Sequence, residues 1–233
     1  LHLSLRRQSQ MCIRDRGVEN PSFLIVTKDL QRLYAVIEVA EYQGISGGGV
    51  VGFEISEEGR NLVSLNTQPT NGDHPCHLSL STSEDALFVA NYSGGSVSAY
   101  QVLKDGSLSA QGDFHQHQGS SVNLKRQEGP HAHMAHLTPD GRHLLVTDLG
   151  TDQLMIYQIN PQGKLALLKD RCLTLPAGSG PRHLTFSNSN KSMYLINELG
   201  NTILVFPVGE DGLPEKEYVQ KIETLPSDFS EES

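Results

Sequence analysis

One template recurs along this chain at intervals of about fifty residues, and it limits the fold more than any other feature. It is clearest in Gly180-Pro-Arg-His-Leu-Thr-Phe186 followed by Met193-Tyr-Leu-Ile-Asn-Glu-Leu199. Earlier copies pair Pro21-Ser-Phe with Leu33-Tyr-Ala-Val-Ile-Glu38, Pro75-Cys-His with Leu87-Phe-Val-Ala-Asn-Tyr92, and Ala132-His-Met with Leu144-Leu-Val-Thr-Asp-Leu149. The register between the two halves is constant. One equivalent position therefore reads Ser22, Cys76, His133, Arg182, and a second reads Glu38, Tyr92, Leu149, Glu198. Repeats of this period, built from short β-branched and aromatic segments, predict an all-β chain folded as a β-propeller. Equivalent positions of successive blades converge on a central channel, so His133, Arg182 and Glu198 become candidates for one pocket.

The second copy shows how a blade is composed. Strands are expected over 77–80, 86–91, 96–102 and 107–110, with turns at Ser93-Gly-Gly95 and Lys104-Asp-Gly106. Asp-Gly is a hairpin signal because its glycine accepts positive φ. In the first copy, strands are expected over 23–26, 33–37 and 50–55; Gly47-Gly-Gly49 ends a strand and Glu58-Gly59 closes a hairpin. No ten-residue stretch has helical period. About four four-stranded antiparallel blades account for 20–233, read as one domain, a partial propeller. Residues 1–19 match no repeat, and Met11-Cys-Ile-Arg-Asp-Arg16 reads as sequence foreign to the rest. A polar segment, 112–129, separates copies two and three and contains His115, His117, Lys125 and Arg126. Such a segment either covers a site or is a solvated connection.

Composition excludes several partners. A net charge of −9 weighs against nucleic acid, whose phosphates require clustered Lys and Arg. No apolar run approaches membrane-spanning length, so no membrane partner is expected. The 3 cysteines, Cys12, Cys76 and Cys172, form no CxxC pair, which fits a reducing, cytoplasmic setting.

Several strings taken together resemble the seven-bladed propeller lactonase family, the 6-phosphogluconolactonase type related to carboxy-muconate cyclase. They are His74-Pro-Cys-His77, Ala90-Asn-Tyr92, Gly119-Ser-Ser-Val-Asn123, Arg126-Gln-Glu-Gly-Pro-His-Ala-His133, Asp148-Leu-Gly150, Gly180-Pro-Arg-His183 and Asn197-Glu-Leu199. The resemblance implies a ring of seven blades, of which about four are here, and a cofactor-independent hydrolase of a sugar-phosphate lactone. A muconate-type lactonizing isomerase and a non-catalytic binding propeller are the alternatives. The resemblance also implies catalytic roles for His133, Arg182 and Glu198, and a further arginine that would fall beyond Ser233. An arc of four blades would leave an apolar face open at each end. Exposing several hundred Å² at roughly 25 cal/mol per Å² forfeits on the order of 10 kcal/mol, so the chain on its own is expected to self-associate and to be inactive.

Lactone opening needs a base for the attacking water and positive charge where the oxyanion develops. Glu198 is a candidate base if the cleft raises its pKa, and His133 is another; Arg182 suits an anion or the carbonyl oxygen. Arg126, His131, Asn197 and Glu38 are expected to line the substrate. An ion pair between Arg182 and Glu198, or a backbone hydrogen bond of His133, would explain the same residues structurally. His131-Ala-His133 has no further ligand at fixed spacing, so no metal is expected. His77 and His183 follow the channel position by one residue and are expected to face away from it, between blades. Cys76 has no paired base and reads as a small buried residue rather than a nucleophile.

Overall fold

A computed structural model describes residues 17–56, 61–110 and 112–226. The expected foreign segment over 11–16 and the Glu58-Gly59 turn lie outside them. Four antiparallel sheets follow one another along the chain, each an up-and-down meander whose successive strands are neighbours. Blade I comprises Leu24–Val26, Arg32–Ile37, Gly49–Ile55 and Leu62–Pro69, with a small hairpin, Glu41–Tyr42 and Ile45–Ser46, between its second and third strands. Blade II comprises Pro75–Leu80, Ala86–Asn91, Ser96–Gln101 and Asp113–Gln116. Blade III comprises Ala132–Leu137, His143–Asp148, Gln153–Ile159 and Leu165–Leu167, with Leu173–Thr174 also paired to its third strand. Blade IV comprises Pro181–Phe186, Ser192–Asn197, Thr202–Pro207 and Gln220–Glu223. Among the described residues the only helical element is a single 3-10 turn, Lys169–Arg171.

Packing explains why the second strand of each copy is the most legible. Ala86–Asn91 and His143–Asp148 are buried at every residue, because a neighbouring blade covers each face of the sheet. Their clusters run between blades. Val36 and Val50 of blade I meet Leu78 and Val89 of blade II; Phe88 and Val97 meet Leu144 and Val146 of blade III; Leu145 and Ile156 meet Leu195 and Leu204 of blade IV. Outer strands lose that pattern, and Gln220–Glu223 is wholly exposed. This is why the fourth strand of blade II differs from the one expected over 107–110: those residues contribute only a bridge from Leu108 to Val102, and the strand is the polar Asp113–Gln116, paired with Ser96–Gln101. The strand therefore takes the first part of the segment read as an insertion. Gly49 likewise opens a strand rather than ending one.

The two outward faces of the arc differ, contrary to the expectation that both lie open. On blade I, Leu33, Val51 and Phe53 are buried, and Val18, Val39 and Tyr42 pack against them. A cavity of about 350 Å³ on that face is lined by Ile37, Tyr42, Phe53, Leu62, Ser64 and Thr67 among others, and His133, Arg182 and Glu198 do not border it. On blade IV, Tyr194, Ile196 and Ile222 stay about 40% exposed on one apolar face.

Candidate active site

The register read from the repeats is present in the backbone. Glu38 N donates to Asn20 O, Tyr92 N to His74 O, Leu149 N to His131 O and Glu198 N to Gly180 O, at 2.8–3.2 Å, so these four positions are equivalent. The innermost strands of blades II, III and IV carry a β-bulge at one shared place: between Pro75 and His77, between Ala132 and Met134, and between Pro181 and His183. The extra residue in each case is Cys76, His133 or Arg182. A bulge re-aims its side chain, and here it does so in three blades in succession.

Glu198 is the centre of the cluster. Its Oε1 accepts a hydrogen bond from Arg126 Nη2 at 2.6 Å, and its Oε2 lies 2.9 Å from Arg182 Nε. Arg126 also donates from Nη2 to the Tyr92 hydroxyl at 3.3 Å. Burial by itself would raise the Glu198 pKa, but the Arg126 hydrogen bond and the charges of Arg126 and Arg182 outweigh it and hold the carboxyl below its ordinary range. The condition on which Glu198 was a candidate base, a raised pKa, is thereby not met, because a second arginine enters from a loop. His133 goes the same way for another reason. Burial first, then Arg182 and His183, push its pKa to about 4, so the imidazole is neutral at pH 7. Its Nδ1 is buried without a hydrogen-bond partner.

Arg126 comes from the connection between blades II and III. That loop is pinned by buried Asp152, whose Oδ1 accepts from Gln127 Nε2 and Gly180 N and whose Oδ2 accepts from Ser121 Oγ and Gly178 N, at 2.5–2.8 Å. One carboxylate thus ties the Arg126 loop to the loop that leads into the Arg182 strand. Nothing in the sequence pattern marked Asp152. Tyr92 also went unassigned, although its place in the repeat matches that of Glu198.

The remaining expected residues divide. His131 flanks the Arg126–Glu198 pair, its ring stacked on Tyr92 at 4.8 Å, Nδ1 donating to Tyr92 O at 3.2 Å and Nε2 3.2 Å from Glu128. Both of its nitrogens are thereby engaged, so His131 and His133 present no converging ligand pair. Asn197 is corrected from substrate contact to structural support: it is buried, and its Nδ2 donates to Thr202 Oγ1 at 3.0 Å. Alternation along the strand turns it away from the face that carries Glu198. Glu38 forms no ion pair with either arginine among the described residues and is close enough only to raise the Cys76 pKa.

His77 and His183 lie between blades as expected, yet they do not face away from the site. The bulges turn them into a column with His133, with ring centroids 5.0 Å apart for His133 and His183 and 5.9 Å for His77 and His183. Cys76 is half-buried, with Sγ 3.3 Å from His133 O as donor, and desolvation of the sulfur pushes its thiol up to about 12.

The sequence model of the family described as "Lactonase, 7-bladed beta-propeller" matches residues 8–233, so the match begins inside the segment set aside as non-repeat. A 6-phosphogluconolactonase of Bacillus subtilis is 32% identical over 220 residues, covering 92% of this chain and 58% of that protein. The crystal structure of a putative 6-phosphogluconolactonase from Bacteroides fragilis superposes with a TM-score of 0.82 at 36% identity, over 91% of this chain and 59% of that one. A periplasmic gluconolactonase of Pseudomonas aeruginosa gives 0.80 at 31% identity, again over 91% and 59%. The chain therefore spans somewhat under two thirds of the length of these relatives. Among the described residues no helix is long and apolar enough to cross a membrane, and the periplasmic relative means that membership does not by itself fix the compartment.

Proposed function

The chain belongs to the seven-bladed β-propeller lactonase family, and from that premise we propose that the Arg126–Glu198–Arg182 cleft opens a phosphorylated sugar lactone by hydrolysis, without a cofactor. The observation that carries this reading is one carboxylate held by two arginines beside a neutral histidine. The arrangement has one positive charge to spare within a chain of net charge −9. That surplus favours a small anion and gives a developing oxyanion a donor.

In the reaction a water attacks the lactone carbonyl while neutral His133 accepts its proton. Arg182 faces the carbonyl oxygen as negative charge gathers there. The carbonyl carbon then parts from the ring oxygen, which takes the proton back from His133, leaving a free carboxylic acid that ionises in water. Arg126 holds the substrate's phosphate. Glu198, already engaged on both oxygens and held ionised, keeps the two guanidiniums apart and oriented. Burial weakens His133 as a base too, and the proton is assigned to it because its Nδ1 has no partner whereas both Glu198 oxygens are engaged.

Steady-state kinetics of a full-length parent on 6-phosphogluconolactone test this. His133→Asn is expected to lower kcat by roughly 10²–10⁴-fold with KM little changed, the range general-base removal produces. Glu198→Gln is expected to act mainly through KM, by releasing both arginines. If Glu198→Gln lowers kcat as far as His133→Asn while KM stays put, the base is misassigned. If a muconate-type acid is turned over and the sugar-phosphate lactone is not, the substrate class is wrong.

A further inference from the structure

We infer that Tyr92 is a positioning residue of this cleft: its hydroxyl anchors Arg126, and its ring fixes His131 and His133. The substrate side of this inference rests on the lactonase reading; the geometry does not. Tyr92 occupies in blade II the backbone place that Glu198 occupies in blade IV, shown by the matching bonds from Tyr92 N to His74 O and from Glu198 N to Gly180 O. Its side chain is thus delivered to the channel by the same strand geometry that delivers Glu198.

Three contacts converge on it. Arg126 Nη2 has two hydrogens; one goes to Glu198 Oε1 at 2.6 Å and the other to the Tyr92 hydroxyl at 3.3 Å. Tyr92 is therefore the second fixed point for a side chain that reaches in from a loop. The ring lies flat on His131 at 4.8 Å and 21°, and it meets His133 edge-on at 5.5 Å and 78°. Its own carbonyl accepts the His131 Nδ1 hydrogen. A flat ring between two imidazoles limits the rotation of both and excludes water from one side of His133. The other charged or titratable groups near the His133 ring are Arg182, His183, Glu198 and His77, and the Cys76 thiol donates to the His133 carbonyl.

Hydroxyl and ring can be separated. Tyr92→Phe keeps the ring and removes the anchor. In the intact protein it is expected to raise KM for 6-phosphogluconolactone by about tenfold, the value of one lost hydrogen bond to a charged group, with kcat within about twofold. The His133 imidazole, followed by NMR, is expected to titrate as in the parent. Tyr92→Leu removes the ring as well, so His133 gains water and is expected to titrate at higher pH, with kcat falling. Inorganic phosphate binding, read from the same spectra, replaces KM if the parent turns over no lactone. Failure of the lactonase reading is thereby told apart from failure of this one. Unchanged KM or phosphate binding in Tyr92→Phe overturns the anchor, and unchanged His133 titration in Tyr92→Leu overturns the ring's role.

Discussion

His77 makes the column of His77, His183 and His133 a source of acid sensitivity. It is 8% exposed, stacked on Phe23 at 4.2 Å and tilted by 32°, and its Nδ1 has no hydrogen-bond partner. Burial first, then the nearby His183, His136 and His133, push its pKa from 6.5 to about 3. The folded protein therefore keeps it neutral where the unfolded chain would protonate it. Between pH 6.5 and about 3 the unfolded state binds more protons, so stability is complete above 6.5 and is lost as pH falls through that window. At about 1.4 kcal/mol for each pH unit, the contribution is capped at about 5 kcal/mol. His133, pushed to about 4, and His136 and His183, also lowered by burial, add loss in the same direction. The variant His77→Phe keeps a ring against Phe23 and cannot be protonated. Urea midpoints measured from pH 7.5 to 4 should fall less steeply for it than for the parent, the two curves separating by about 2 kcal/mol or more at the acid end. Equal slopes would show that His77 is already solvated or protonated in the folded state.

Two further outcomes concern the inner strands. Cys76, half-buried with its thiol pushed up to about 12 and Sγ near two backbone carbonyls, should be alkylated at pH 8 far more slowly in the folded protein than in urea; peptide mapping that finds it labelled as fast in both would refute the argument. Gly48→Ala should lower Tm by about 2–8 °C, because a Cβ there would sit 2.3 Å from Pro75 Cδ and 2.5 Å from Ile37 O and strain of about 1–3 kcal/mol would result; an unchanged melt would mean the blade I–II junction yields freely.

Legibility followed the number of covered faces. Strands such as Ala86–Asn91, buried on both sides, leave an apolar run that composition cannot hide, and the repeat of those runs was enough to align Glu38, Tyr92, Leu149 and Glu198 correctly. Asp113–Gln116 lies at a blade edge and carries no such run, so its pairing with Ser96–Gln101 was not readable. The bulges were also silent. A bulge leaves the spacing between copies constant while changing where the next residue points, and that is how His77 and His183 came to join His133 rather than face away. Repeat arithmetic locates equivalent backbone positions; it does not fix side-chain direction within an irregular strand.

The lowered pKa of Glu198 has a different origin. A repeat can bring Arg182 to Glu198, since both belong to blade IV, but Arg126 belongs to a connection with no counterpart in the other copies. Its arrival changes the chemistry of the cluster. With one arginine, burial and ion pairing would compete at Glu198; with two, the carboxylate is held ionised and its value as a base falls. The neutral group left beside it is His133, and the charge left over is positive. The Asp152 carboxylate, by fixing the Arg126 loop to Gly178 and Gly180, keeps that balance in place. The ionisation of Glu198 is therefore set by a loop outside the repeat, acting on a pair that the repeat supplies.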